Sequence, residues 1–183
     1  HRRRTNQQGK LRKRHLIIEK AAAGMEGAAD DHGAGKSDAP AIQQFSGKRR
    51  IFGGVARLLL FEGLAPNAED PITNQDQLDE FMRRLSRQTG RRKVHVDDWG
   101  DAFEELDEVI DDREKTVVLL DEISWMGDAD RRFPSKLKNA WDDLFHEHPR
   151  LVVFVCGSVS AWIKKNILGN KGFAGRTSLD VVV

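Results

Sequence analysis

The sequence predicts an α/β protein of three layers, in which a parallel β-sheet lies between helices. Two observations support this fold class. Segments typical of strands and of helices alternate from about Val55 to the end of the chain. The strand segments are also continuous apolar runs, as expected for parallel strands that are buried on both faces. Sheets of this kind bind ligands at the carboxyl ends of their strands, so we expect site residues directly after the strands.

Four apolar runs predict the strands. Each run is rich in leucine or β-branched residues, and three end at charged or turn-forming residues such as Glu62-Gly63 or Gly157-Ser158. The predicted strands cover residues 58–61, 117–120, 151–156 and 178–183. Residues 16–18 also resemble a short buried strand, but the rest of residues 1–50 lacks a sustained pattern, and we predict little structure there.

Apolar residues at helical spacing predict four helices. In residues 75–87 the apolar positions are Leu78, Phe81, Met82 and Leu85, with acidic residues early and arginines late, an order that suits the helix dipole. The other helices are predicted at residues 98–112, 135–145 and 161–168. Each has an apolar side with which it is expected to pack against the sheet.

The chain divides into a basic first part and an acidic second part. Residues 1–50 hold 12 Lys and Arg against 5 Asp and Glu, whereas residues 51–183 hold 18 against 24. We therefore predict a boundary near residue 50, followed by a core domain at 51–183. Two interpretations of residues 1–50 remain open: a solvated tail, or a basic arm that contacts nucleic acid through its phosphates.

Cysteine usage and hydropathy predict a soluble protein of the cytoplasm. The one cysteine, Cys156, cannot form an internal disulfide, and its place in an apolar run predicts a buried, inert thiol. The longest apolar stretch, residues 151–156, is too short to cross a bilayer, so we expect no membrane partner. His146 and His148 would diverge on a helix, and we expect no zinc site.

The clearest chemical motif is the pair Asp121-Glu122, which directly follows the apolar run at 117–120. In a nucleotide hydrolase, Asp121 would bind the Mg²⁺ that bridges the phosphates. Glu122 would orient or deprotonate the attacking water. The alternative is that both carboxylates merely begin a surface loop.

A Gly-Ala-Gly-Lys-Ser segment contains the second half of a phosphate-binding loop. Backbone N–H groups at Gly33 and Gly35 would approach phosphate, and Lys36 would reach the β and γ phosphates. Ser37 would be a second Mg²⁺ ligand through its hydroxyl group. The match is incomplete, because Asp30 stands where the pattern has its first glycine and no apolar strand precedes the loop, only residues 21–31. Pro40 also falls where the following helix should be in its first turns.

Two further polar residues are candidates. Ser158 follows the run at 151–156, where it would sense the γ-phosphate or position water; capping of the next helix is the alternative, and the two are compatible. Arg176 follows Gly172 and Gly175 and would reach a phosphate in its own or a neighbouring subunit. The alternative for Arg176 is an ordinary surface arginine.

Three blocks of sequence carry these residues. They are LFEGLAPN with QDQLDEFMRRLSRQ, then VVLLDEISWMGDADRRFPSKLKNAWDDLF, then LVVFVCGSVSAWIKKNILGNKGFAGRTSL. In order and spacing they resemble the archaeal and bacterial AAA+ ATPases of the STAND-related group, over about residues 58–180. The resemblance implies a P-loop ATPase core with ATP and Mg²⁺ as ligands. It implies that Asp121 and Glu122 form the acidic-strand motif, that Ser158 is at the sensor position and that Arg176 is a family arginine.

The sequence as a whole predicts an ATP-binding protein that is a Mg²⁺-dependent ATP hydrolase. The chain also stops before the helical lid that the resemblance implies, so we expect either a missing C-terminal segment or a partner, which would be a second copy of the chain in a homo-oligomer or another protein. The alternative is a catalytically impaired ATPase-like fragment that acts as a protein- or nucleic-acid-binding module. This alternative rests on the incomplete phosphate-binding loop, since loss of positioning removes most catalysis of phosphoryl transfer.

Overall fold

A parallel sheet of five strands occupies the part of the chain that the computed structural model describes, residues 15–20, 57–158, 160–174 and 176–182. The strands are β1 (His15–Lys20), β2 (Arg57–Glu62), β3 (Thr116–Asp121), β4 (Leu151–Val155) and β5 (Thr177–Val182). Their order across the sheet is β2-β3-β4-β1-β5, and every neighbouring pair is parallel. The predicted parallel sheet is confirmed.

The expectation that no strand precedes the phosphate-binding loop is wrong, because β1 lies inside the sheet and is longer than its apolar pattern indicates. The pattern predicts a strand only at residues 16–18, whereas β1 pairs with β4 on one side and with β5 on the other. Two neighbouring strands supply backbone partners to the polar residues that flank the apolar run, so the strand extends beyond it. The predicted phosphate-binding loop, at residues 33–37, lies outside the described residues.

Helices follow the strands in the order expected. They are α1 (Asn74–Thr89), α2 (Trp99–Asp107), α3 (Ile123–Met126), α4 (Phe133–Asp143) and α5 (Ser160–Ile163), with 3₁₀ turns at Phe145–Glu147 and Lys171–Phe173. The helix α1 begins at a capping box in which Thr73 and Asp76 exchange hydrogen bonds. No helix among the described residues is long and apolar enough to cross a membrane.

Two helices differ from their predicted bounds. The helix predicted at residues 98–112 ends at Asp107, because the N–H groups of Val109 and Ile110 donate to carbonyl groups only three residues earlier and tighten the chain into a turn. The helix predicted at residues 161–168 begins as α5 and continues as a π-helix at Lys164–Leu168.

Both faces of the sheet carry apolar side chains. On one face, Val118 and Leu120 of β3 belong to a large core that includes buried residues of α1, α2 and α4. On the other face, Leu119 packs in a smaller cluster with Phe154 and Cys156. Side chains alternate between faces along a strand, so Asp121 lies on the face of the smaller cluster.

The strand order changes direction beside β4. The strands β2, β3 and β4 follow one another across the sheet, but β1 lies between β4 and β5. The chain therefore leaves β1 and β4 in opposite directions, toward β2 and toward β5. A reversal of this kind opens a crevice at the carboxyl ends of the strands, where open α/β sheets bind ligands.

Candidate functional site

Asp121 ends β3 and points one oxygen of its carboxylate toward the end of β4. Its Oδ1 accepts a hydrogen bond from the backbone N–H of Glu122 at 3.0 Å and one from the thiol of Cys156 at 2.7 Å. Its Oδ2 makes no hydrogen bond within the described part of the chain. Asp121 thus presents one engaged and one open carboxylate oxygen.

Glu122 repeats this arrangement with Ser158. The Glu122 Oε2 atom accepts the backbone N–H of Ser158 at 2.9 Å and its hydroxyl at 2.8 Å. The Oε1 atom has no hydrogen-bond partner among the residues that the structure covers. Glu122 has φ 48° and ψ 48°, a left-handed conformation that is uncommon for a residue with a side chain. The two adjacent carboxylates are thus each held through one oxygen by the residues that follow β4.

The backbone fixes this contact between the ends of β3 and β4. The N–H of Cys156 donates to the carbonyl of Leu120 at 2.9 Å, and the N–H of Ile123 donates to the carbonyl of Cys156 at 3.0 Å. The parallel ladder therefore continues beyond Val155, the last residue of β4. This continuation brings Cys156 and Ser158, 35 and 36 residues later in the chain, to Asp121 and Glu122.

Gly63 supports the same site from β2. Its N–H donates to the carbonyl of Asp121 at 3.0 Å. A methyl group at this position would lie 2.7 Å from the carbonyl oxygen of Glu122 and 3.0 Å from the backbone nitrogen of Met126. Only glycine lets the end of β2 approach the turn into α3 this closely. Sequence reasoning treated Gly63 as a strand end and missed this role, which the Glu-Gly pair after an apolar run would have suggested.

Cys156 is the second residue that sequence reasoning missed. It is buried, as expected, with 7% of its surface exposed. The prediction of an inert thiol within a strand does not describe its contact, however, because it lies one residue past β4 and donates to Asp121. Sequence alone gives no sign of this, since the contact depends on the register between β3 and β4.

The residues present fit a magnesium ion. Mg²⁺ takes oxygen ligands and is usually held by one or two carboxylates while it keeps several waters. The open Oδ2 of partly buried Asp121 supplies such an oxygen, and the open Oε1 of Glu122 lies on the next residue. Among the described residues, no group of three or more His, Cys, Asp or Glu side chains could hold a metal ion. The two carboxylates of Asp121 and Glu122 therefore suit a metal ion that also takes ligands from a bound molecule.

Arg176 is not brought together with these carboxylates. It directly precedes β5 and therefore lies at the amino edge of the parallel sheet, opposite the edge that carries Asp121. Its guanidinium donates two hydrogen bonds to Asp142, at 2.5 and 2.9 Å. These bonds raise the pKa of Arg176 and lower the pKa of Asp142. Gly33, Gly35, Lys36 and Ser37 lie outside the described residues.

An open cleft of about 170 Å³ lies beside the site, between the loop after β2 and the turn after α3. Leu64, Gln77 and Trp125 are among its lining residues. Gln77 exchanges two hydrogen bonds with the backbone of Leu64, at 2.8 and 2.9 Å, and so holds the loop in place. Neither Asp121 nor Glu122 lines the cleft. We therefore place the candidate site at the ends of β3 and β4 and not in this cleft.

Comparison with known proteins supports the fold. No family model and no curated protein matches this chain. The structure of the Aeropyrum pernix ORC2 protein, in ADPNP–ADP complexes, gives a TM-score of 0.54 at 14% identity over 92% of this chain and 41% of that protein. The Walker-type ATPase of Pyrococcus abyssi gives 0.52 at 14% identity over 92% and 48%. This chain spans less than half of either protein. It shares the three-layer α/β/α fold of these two structures, which confirms the predicted fold class.

Proposed function

We propose that this chain binds ATP together with Mg²⁺ and hydrolyses it. One observation carries the proposal. The residues after β4 hold one oxygen of Asp121 and one oxygen of Glu122, and the other oxygen of each carboxylate is open within the described residues. Two pre-oriented carboxylates at the carboxyl edge of a parallel sheet, where the strand order changes direction, are suited to the triphosphate of a nucleotide and its metal.

Each residue has a separate task in this proposal. Asp121 holds Mg²⁺ through Oδ2, and the ion, when bound, offsets charge on the nucleotide phosphates. Glu122 orients the attacking water and accepts its proton at Oε1. Ser158 keeps the Glu122 carboxylate in this orientation through its two hydrogen bonds. The chemistry therefore depends on positions that are fixed before the substrate arrives.

The phosphate end of the site is assigned to Gly33, Gly35, Lys36 and Ser37. They follow β1, whose carboxyl end lies beside that of β4. In open α/β sheets, ligands bind at the carboxyl ends of the strands. The position of these residues in the sequence, after a strand that neighbours β4, supports a phosphate-binding role for Lys36 and Mg²⁺ ligation by Ser37.

Finer assignments are also proposals. The three sequence blocks support membership of the STAND-related group of AAA+ ATPases, and the single cysteine supports a cytoplasmic location. The chain would assemble with a second copy or a partner protein, and Arg176 would act only across such an interface. The basic residues 1–50 would contact nucleic acid through phosphate charges.

Binding of a fluorescent ATP analogue and release of phosphate, both with Mg²⁺, test the proposal. We expect Glu122→Gln to retain the nucleotide and to lower turnover by about 10²- to 10⁴-fold, the usual contribution of a positioned base. Lys36→Ala should weaken nucleotide binding. Glu104→Gln, which changes an exposed carboxylate on α2, is the matched control and should behave like the unaltered protein. If the unaltered chain binds no Mg-ATP, the role of a binding module is favoured instead.

A further inference from the structure

The chain has a single cysteine, and its thiol contacts the residue proposed to hold the metal. The Cys156 sulfur lies 2.7 Å from Oδ1 of Asp121. Around it, Leu119, Phe154 and the partly buried Leu60 form the smaller apolar cluster. The thiol is therefore held between an apolar cluster and a carboxylate.

Among the described residues, both hydrogen bonds to the carboxylate of Asp121 fall on the same oxygen. The thiol of Cys156 and the N–H of Glu122 each donate to Oδ1, whereas Oδ2 has no such partner in the described part of the chain. Rotating the carboxylate so that Oδ1 also faced a ligand would break both bonds. Asp121 is thus confined to offering one oxygen.

We infer that Cys156 is a positioning residue that makes Asp121 a one-oxygen metal ligand and so favours Mg²⁺ over Ca²⁺. This inference rests on the proposed function and deepens it. Mg²⁺ requires near-octahedral geometry and is satisfied by single carboxylate oxygens with water, whereas Ca²⁺ accepts both oxygens of one carboxylate. Because the thiol of Cys156 donates a hydrogen bond to Oδ1, Asp121 is prevented from binding a metal ion through both of its oxygens.

The contact itself is tested by infrared spectroscopy of the S–H stretching vibration, which needs neither nucleotide nor metal. The band belongs to Cys156 alone, because the chain has one cysteine. We expect a band lowered in frequency by the hydrogen bond. It should rise in Asp121→Asn, whose amide oxygen is a weaker acceptor, and rise further in Asp121→Ala. Glu122→Gln is the control and should leave the band in place. A band in the unaltered protein at the frequency of a thiol without a hydrogen bond overturns the inference.

The cation preference is tested with Cys156→Val, which fills the apolar cluster without a donor, and Cys156→Ser, which keeps a donor. The quantity measured is the concentration of Mg²⁺ or Ca²⁺ that gives half-maximal binding of the fluorescent ATP analogue. We expect Cys156→Val to shift the ratio of the two half-maximal cation concentrations in favour of Ca²⁺ by about 3- to 10-fold, which is the equivalent of one lost hydrogen bond. Cys156→Ser should lie close to the unaltered protein, and thermal melting confirms that each variant is folded.

An unchanged ratio in folded Cys156→Val overturns the positioning role and leaves the thiol as packing only. Failure of the proposed function has a different signature. In that case the unaltered protein binds nucleotide with neither cation, while the S–H band still responds to substitution of Asp121.

Discussion

The hydroxyl group and the backbone N–H of Ser158 donate to the same oxygen of Glu122, at 2.8 and 2.9 Å. This pair joins the turn after β4 to a residue in a left-handed backbone conformation, which is costly for any residue other than glycine. Together the two bonds hold the Glu122 side chain at the end of β4, at the carboxyl edge of the sheet.

Ser158→Ala removes the hydroxyl donor and keeps the backbone donor. Hydrogen bonds to charged groups contribute about 1.5–3 kcal/mol, and half-exposed surroundings weaken them, so we expect ATP turnover to fall by about tenfold. Nucleotide affinity should change little. Phosphate release under saturating Mg-ATP measures the effect, and Ser158→Thr, which restores a hydroxyl, should recover most of the rate. Equal loss in the alanine and threonine variants would contradict the assignment.

Gly63→Ala places a methyl group 2.7 Å from the carbonyl oxygen of Glu122, a backbone atom that cannot move without shifting the turn into α3. Overpacking of this kind costs about 1–3 kcal/mol of folding free energy. The midpoint of urea unfolding measures it. Gly157→Ala is the matched control, since a methyl group there meets its neighbours only at 3.5–3.6 Å. The prediction is wrong if both variants lose the same stability.

The strands of the sheet could be predicted because burial on both faces leaves a continuous apolar run in the sequence. The run at 117–120 became β3 with one residue added at each end, and the run at 151–156 became β4 less its last residue. Apolar spacing could not predict where α2 ends. Val109 and partly buried Ile110 continue the apolar pattern, but they are buried in a turn and not in the helix.

The carboxylates of the site could be predicted, whereas the residues that hold them could not. Asp121 and Glu122 follow an apolar strand, and that local pattern is visible in the sequence. The donors on Cys156 and Ser158 reach these carboxylates only because β3 pairs with β4 in one particular register. Two uniformly apolar strands have no alternating pattern from which that register could be predicted. The close approach of Gly63 depends on the same three-strand arrangement.

His148 makes stability depend on pH. Burial by itself lowers the pKa of His148, but hydrogen bonds to Asp112 and Asp107 outweigh burial and raise the pKa above its ordinary value of 6.5. Its ring nitrogens lie 2.7 and 2.9 Å from these two carboxylates, so only the protonated ring donates to both. The resulting stability is fully present below about pH 6.5 and is lost as the pH rises through the raised pKa.

The urea midpoint measured at increasing pH checks this dependence. We expect the unaltered protein to lose stability above neutral pH and His148→Gln to show a flatter profile there. Asp112→Asn serves as the second variant, because it removes one of the two bonds that raise the pKa and should move the loss to lower pH. Parallel profiles for all three proteins would refute the role of His148.

Asp142 couples Arg176 to α4 in a way that a double-mutant cycle isolates. Arg176 donates two hydrogen bonds to Asp142, and Lys138 lies 2.9 Å from the same carboxylate. Arg176→Gln and Asp142→Asn should each lower the melting temperature, the second more, because it also removes the partner of Lys138.

The double variant should be about as stable as Asp142→Asn alone, since the arginine then has only its long hydrogen bond of 3.5 Å to the carbonyl of Ala174 left to lose. Thermal melting at neutral pH measures all four proteins. Additive losses would mean that Arg176 stabilises the fold independently of Asp142. A different result would indicate that this arginine acts across an interface between copies. In that case Arg176→Gln lowers ATP turnover to an extent that depends on protein concentration, and its melting temperature is unchanged.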